Sequence, residues 1–116
     1  MKSFVVMFHE EPAVLVNMSP SQMQSVVARY SAWFTRLREA GRIQMSAKLR
    51  DEGGKHLRRN QQRVLASDGP FVEAKDVVSG LFILHADNYE DAQKELADCP
   101  HFDFGWTEVR EIEFVK

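Results

Sequence analysis

Val77-Val78-Ser79-Gly80-Leu81-Phe82-Ile83-Leu84-His85-Ala86 is the stretch that decides the fold, because apolar side chains occupy both of its parities. Side chains along a strand alternate between the two faces of a sheet, so Phe82 and Leu84 point one way while Leu81 and Ile83 point the other. Phe4-Val5-Val6-Met7-Phe8 repeats the pattern, with Phe4, Val6 and Phe8 set against Val5 and Met7. Two such runs predict strands buried on both faces. Gly80 is expected to mark a bulge or a close approach within the longer run.

Between these strands lies a well-punctuated helix. Ser19-Pro20-Ser21-Gln22 supplies an N-cap hydroxyl, a proline at the first helical position and a capping-box glutamine. Met18 and Met23 stand where a hydrophobic staple would close across the cap. Met23, Val26, Val27, Tyr30, Trp33, Phe34 and Leu37 then form one apolar stripe, and Gly41 is a left-handed stop. The spacing predicts a helix over 20–40. Ile43 to Leu49 reads as a strand, and Lys55–Arg59 with Arg63–Ser67 reads as a polar hairpin. Asp68-Gly69-Pro70-Phe71 is a turn by its chemistry. Asp87-Asn88 caps a second helix with a thin stripe of Tyr89, Ala92 and Leu96, which Cys99-Pro100 halts. Trp106 to Val115 is a last strand, with Glu108, Arg110, Ile112 and Phe114 on one face.

The order strand, helix, strand, hairpin, strand, helix, strand is the ferredoxin-like split βαβ pattern. It predicts one α+β domain over residues 1–116, an antiparallel sheet with both helices on one face and a hairpin insertion. The other sheet face is then apolar and bare, which predicts a homodimer packed sheet against sheet. Any cavity is expected between that face and the insertion or the partner.

Composition narrows the function. A hydrophobic fraction of 44% with 28% charged residues is a globular balance. The net charge of −2 gives no global pull toward nucleic acid or an anionic membrane, so neither is expected as a partner. Residues 48–63 are locally basic, but they lack the interleaved aromatics that stack bases. A single cysteine excludes an intrachain disulfide and a Cys-only zinc site. No apolar run approaches the ~18 residues of a membrane span, and a cytoplasmic protein is expected.

The segment Asp68-Gly69-Pro70-Phe71-Val72-Glu73-Ala74-Lys75-Asp76 resembles the YCII-related family in its DGPF-type branch. Asp76 stands where glutamate is more usual. The first strand, Trp33 and Gly41, Asp91-Ala92, Cys99-Pro100 and Glu108-Val109-Arg110 extend the resemblance over nearly the whole chain. It implies a dimeric α+β barrel. Some relatives look like small enzymes acting on activated ring compounds, and others are similar to proteins found with extracytoplasmic sigma factors. Shorter relatives carry a histidine–aspartate dyad on the first helix. Here Tyr30 and Glu39 stand at those places, so that chemistry does not transfer.

The candidate site residues follow. His9 and Asp68 are the acid–base candidates, and Lys75 and Arg110 would face an anion. Glu73 and His85 complete the ligand-binding set. His9 and His85 share a parity, which would let two imidazoles approach one pocket. The plainer alternatives are a structural turn at Asp68–Lys75, rim histidines, and a Glu108–Arg110 ion pair. Cys99-x-His101 lacks the second ligand pair of a metal site, and no metal or cofactor is expected. Two functions compete: a homodimer whose cleft binds a small organic molecule, with acid–base chemistry of a lyase or isomerase kind, and a non-catalytic sensing or interaction module associated with transcription.

Overall fold

A computed structural model describes residues 1–13, 17–68 and 76–116. β1 (Lys2–Glu10) leads to α1 (Pro20–Glu39) and β2 (Ile43–Lys48). The hairpin β3 (Lys55–Asn60) and β4 (Arg63–Asp68) precedes β5 (Val77–Ala86). α2 (Tyr89–Leu96), a 3₁₀ turn at Pro100–Asp103 and β6 (Gly105–Glu111) complete the chain. The main sheet has the order β2-β5-β1-β6 with every neighbour antiparallel. That is the split βαβ arrangement, with β3–β4 as a separate two-stranded sheet.

The ends of α1 form as their residues dictate. Ser19 Oγ accepts the Gln22 N–H at 3.1 Å, and Gln22 Oε1 accepts the Ser19 N–H at 2.8 Å. At the other end Gly41 has φ +74°, its N–H bonds the Arg38 carbonyl, and the Arg42 N–H bonds the Leu37 carbonyl. This closes a Schellman motif, which only a residue tolerant of the left-handed region supports well. Ser19→Ala is expected to cost about 1 kcal/mol, read as a lower denaturant midpoint with an unchanged slope.

One parity of β1 and β5 makes the core. Phe4, Val6, Phe82, Leu84 and Ala86 are fully buried against Trp33, Leu37, Ala92 and Leu96. Phe82 is the hub, meeting Phe8, Trp33 and Phe34 edge-on or nearly so at 5.2–5.7 Å. The helices are latched by ions. Asp98 accepts from Trp33 Nε1 at 3.1 Å and from Arg36, and Asp91 accepts from Arg42 at 2.8 Å. The Trp33 bond and the Arg36 charge hold the Asp98 carboxyl below the usual range, and the Asp87 N–H and the Arg42 bond do the same for Asp91. The stability these pairs add is complete above the ordinary carboxylate value and fades as pH falls through the lowered folded value.

The opposite parity is left bare by the described helices. Val5, Met7, Leu81 and Ile83 are half-buried there, and Met45 and Trp106 are 41% and 49% exposed. Among the described helices, none is long and apolar enough to cross a membrane.

Three details differ from the sequence reading. The last strand ends at Glu111 rather than Val115, because Glu111 already lies opposite Phe4 and β1 starts at Lys2. Ile112 makes one further bond to the Ser3 carbonyl, and Phe114 stands 64% exposed beyond the ladder. The bulge in β5 falls at Ser79, where the register against Phe8 and His9 skips a residue. Gly80 beside it is a close-approach point, since a Cβ there would sit 3.1 Å from the Ala47 carbonyl oxygen. Finally, the N-terminal half of the α1 stripe does not reach the core. Trp33 and Leu37 are buried, but Val27 is 59% exposed.

Candidate functional site

The gap left by α1 is a cavity. Met23, Val26, Val27 and Tyr30 form one wall and the β2–β5 edge of the sheet forms the other, enclosing about 390 Å³. This cavity lies on the helix side of the sheet. The position follows from register: Ser46, Lys48 and Gly80 share the helix-facing parity with Phe82, and none of them fills the space beneath the first turns of α1.

The lining is mostly apolar with a few polar groups at one end. Glu10 continues the parity of Phe4, Val6 and Phe8, which turns its side chain under the helix. It is 9% exposed and makes no hydrogen bond or ion pair with another described side chain. Lys48 also borders the cleft, but its ammonium is held by Asp51 at 2.7 Å and by the Leu49 carbonyl.

Tyr30 and His101 stand beside Glu10. His101 Nε2 lies 2.8 Å from the His9 carbonyl oxygen, which can only accept, so that nitrogen carries the proton. In the neutral ring Nδ1 then accepts from the Tyr30 hydroxyl at 2.7 Å. The imidazole lies flat on Phe8 with centroids 4.4 Å apart. Burial, with smaller contributions from Cys99 and Glu10, pushes the Tyr30 hydroxyl well above its usual value. Tyr30 therefore stays neutral, with its proton directed at His101 and its lone pairs free to accept from a ligand. His101 cannot pass a proton onward, because its second nitrogen is held by a backbone carbonyl.

A second polar cluster sits at the β1–β6 end of the bare face. His9 Nδ1 is 3.0 Å from Asp76 Oδ2 and Nε2 is 3.0 Å from Glu108 Oε1. Satisfying both carboxylates takes a proton on each ring nitrogen. The Trp106 indole stacks on the imidazole at 3.9 Å, and its Nε1–H donates to Asp76 Oδ1 at 3.1 Å. His9 is thus clamped on three sides.

The structure disperses much of the expected site. Asp68 is exposed at the base of the hairpin, bonded to Lys55, and no hydrogen bond joins it to His9. Glu73 and Lys75, with the rest of the turn from Gly69, lie outside the described residues. His85 is opposite Ser3, whereas His9 falls near the other end of the same ladder, six residues or roughly 20 Å along β1. Shared parity puts the two histidines on one face without bringing them together. Glu108 shares its face with Arg110 but bonds His9, and Arg110 is exposed. Cys99 is buried, which pushes its thiol up to about 11, and His101 is committed to Tyr30 and the His9 carbonyl. Among the described residues no three potential ligands converge on a metal position.

Glu10 and the Tyr30–His101 pair escaped the sequence reading. Glu10 was legible in principle, since it keeps the core parity of its strand after the apolar run ends. His101 follows a Cys-Pro stop, where no periodicity places a side chain.

A family model described as the YCII-related domain matches residues 2–116. A comparison with curated proteins returned no match. Among solved structures, the chain is similar to 5-chloro-2-hydroxyhydroquinone dehydrochlorinase from Burkholderia phenoliruptrix AC1100, solved in complex with 2,5-dihydroxybenzoquinone. The identity is 15%, the alignment covers 96% of this chain and 93% of that one, and the TM-score is 0.50. At that identity the likeness is one of fold.

Proposed function

The chain belongs to the YCII-related family, and on that footing we propose that its cleft binds a small, largely apolar organic molecule and moves a proton on it, within a twofold dimer closed sheet to sheet. The observation that carries this reading is the cleft itself: about 390 Å³, apolar along its walls, with an inward carboxylate and a tyrosine–histidine pair at one end. Small-molecule sites have this size and this sparse placement of polar groups. The similar dehydrochlorinase structure holds 2,5-dihydroxybenzoquinone, a flat ring bearing acidic hydroxyls, and a molecule of that class suits these walls.

Each residue then has a task. Glu10 takes a proton from an acidic O–H or C–H of the ligand. The electron pair left behind either collects a proton at another atom, which is isomerisation, or expels a leaving group with its bonding pair, which is elimination. Tyr30 accepts a hydrogen bond from a ligand hydroxyl and fixes the ring, while His101 holds Tyr30 in place. His9, Asp76 and Glu108 lie on the other sheet face and brace the β1–β6 end.

Titration calorimetry with 2,5-dihydroxybenzoquinone and hydroxyhydroquinone tests binding. Val26→Trp fills the cleft and is expected to abolish the heat with the far-UV spectrum unchanged. Glu10→Gln keeps binding within a few fold and lowers turnover of a halogenated hydroquinone by ~10²–10⁴. Binding without turnover in the parent would favour a sensing module over an enzyme. Heat that survives Val26→Trp would put the ligand elsewhere.

A further inference from the structure

We propose that the β3–β4 hairpin is an arm that docks on a second copy of this chain. The proposal rests on the twofold association above and adds a second contact to it. Every residue of Lys55–Asn60 and Arg63–Asp68 is exposed. The radius of gyration is 16.3 Å, against about 13 Å for a compact domain of this length, and the extents are 48 × 45 × 19 Å. The hairpin thus stands away from the body. A lone two-stranded hairpin is at best marginally stable in water. This one also turns through Gln61 at φ +58°, where a two-residue loop favours glycine.

The pairing register sorts its side chains. Leu57 lies opposite Ala66 and Val64 opposite Arg59, so Leu57, Val64 and Ala66 make an apolar strip on one face. Leu57 and Val64 are 65% and 60% exposed. Leu65 stands on the other face beside Arg58, His56 and Ser67. Such a strip in a segment with no core of its own needs a surface to cover it.

Two observations select the occupant. The arm springs from between β2 and β5, the strands that carry Met45, Leu81 and Ile83 on the bare face. A twofold axis that presents this face to its twin also brings each arm beside the other copy, and both arms are then covered by one symmetry operation. Charge agrees. Lys55, Arg58, Arg59 and Arg63 against Asp68 give the arm +3, which leaves −5 on the rest of the chain. Arg58, Arg59 and Arg63 have no ion-pair partner among the described residues, so the arm is electrostatically complementary to another molecule of the same protein.

The test uses the full chain in two forms. Leu57→Asp/Val64→Asp changes only exposed positions, and sedimentation velocity is expected to show dimer dissociation at least tenfold weaker with an unchanged circular dichroism spectrum. A photo-crosslinking residue at position 57 of the otherwise unaltered chain is expected to yield a covalent dimer. An unchanged dimer constant together with crosslinks confined to single chains overturns the arm while leaving the sheet-to-sheet dimer standing. A parent protein that stays monomeric at high micromolar concentration overturns both. A shift of duplex DNA that Arg58→Gln/Arg59→Gln/Arg63→Gln abolishes, with the dimer intact, assigns the arm to nucleic acid and also overturns the proposal.

Discussion

Gly105→Ala is expected to lower the melting temperature by about 10 °C or more, a larger effect than the same change at Gly41, Gly54 or Gly80. Gly105 opens β6 opposite Glu10, and a Cβ built there would lie 1.9 Å from the His9 carbonyl oxygen and 3.0 Å from His101 Nε2. Neither neighbour can yield cheaply. The carbonyl belongs to a strand paired on both sides, and it accepts the 2.8 Å bond from His101. Pushing the strands apart breaks that bond in a buried place, so the overpacking cost and the unmade hydrogen bond combine to roughly 3–5 kcal/mol. Gly41→Ala is the control. Its Cβ meets nothing within 4 Å, so only the left-handed backbone is strained, at about 1 kcal/mol. Equal melting curves for the two variants would show that the close approach at Gly105 is not what constrains it. Because the same carbonyl orients His101, and His101 orients Tyr30, Gly105→Ala is also expected to weaken ligand binding in whatever fraction stays folded.

Ile83→Glu is expected to turn the proposed sheet-to-sheet dimer into a folded monomer. Light scattering should then read 13.4 kDa, against about twice that mass for the dimer. Ile83 sits at the middle of the bare face, opposite Val5 on one side and Met45 on the other. In a closed twofold interface each substitution appears twice, and each places a carboxylate between the half-buried Val5 and the Met45 side chain. A penalty of about 3–4 kcal/mol corresponds to a dimer two to three orders of magnitude weaker. The monomer keeps its fold, because Ile83 takes no part in the core of Phe82, Leu84, Trp33 and Leu37. A variant that still scatters as a dimer would place the interface on another surface.

The fold was legible because its determinants are local and periodic. The cap at Ser19, the stop at Gly41 and the strand from Val77 to Ala86 fall where the residues place them, and both parities of β1 and β5 announced a sheet with two apolar faces. Boundaries slipped where a neighbour decided them: β6 ends at Glu111 opposite Phe4, with only Ser3 and Lys2 of β1 left beyond it, although Ile112 and Phe114 continue the alternation. The site was read less well. Parity put His9 with His85 on one face, and Glu108 with Arg110 on one face of the last strand, but it could not say that His9 would be clamped by Asp76 and Glu108, or that His85 would lie at the far end of the same ladder.

The sequence by itself determined the element order, the α+β class, which strand faces are apolar and which helix ends are capped, since each depends on residues within a few positions of one another. Only the tertiary structure decided where the first turns of α1 stand off the sheet. That gap makes the cleft, and it brings Glu10, Tyr30 and His101 together from three separate elements. The distance between the helix and the sheet is set where Phe34 of the stripe packs on Phe8 and Phe82 of the strands, a contact that the spacing of the stripe does not reveal. Residues some seventy positions apart, such as Tyr30 and His101, carry no local signal that they will meet.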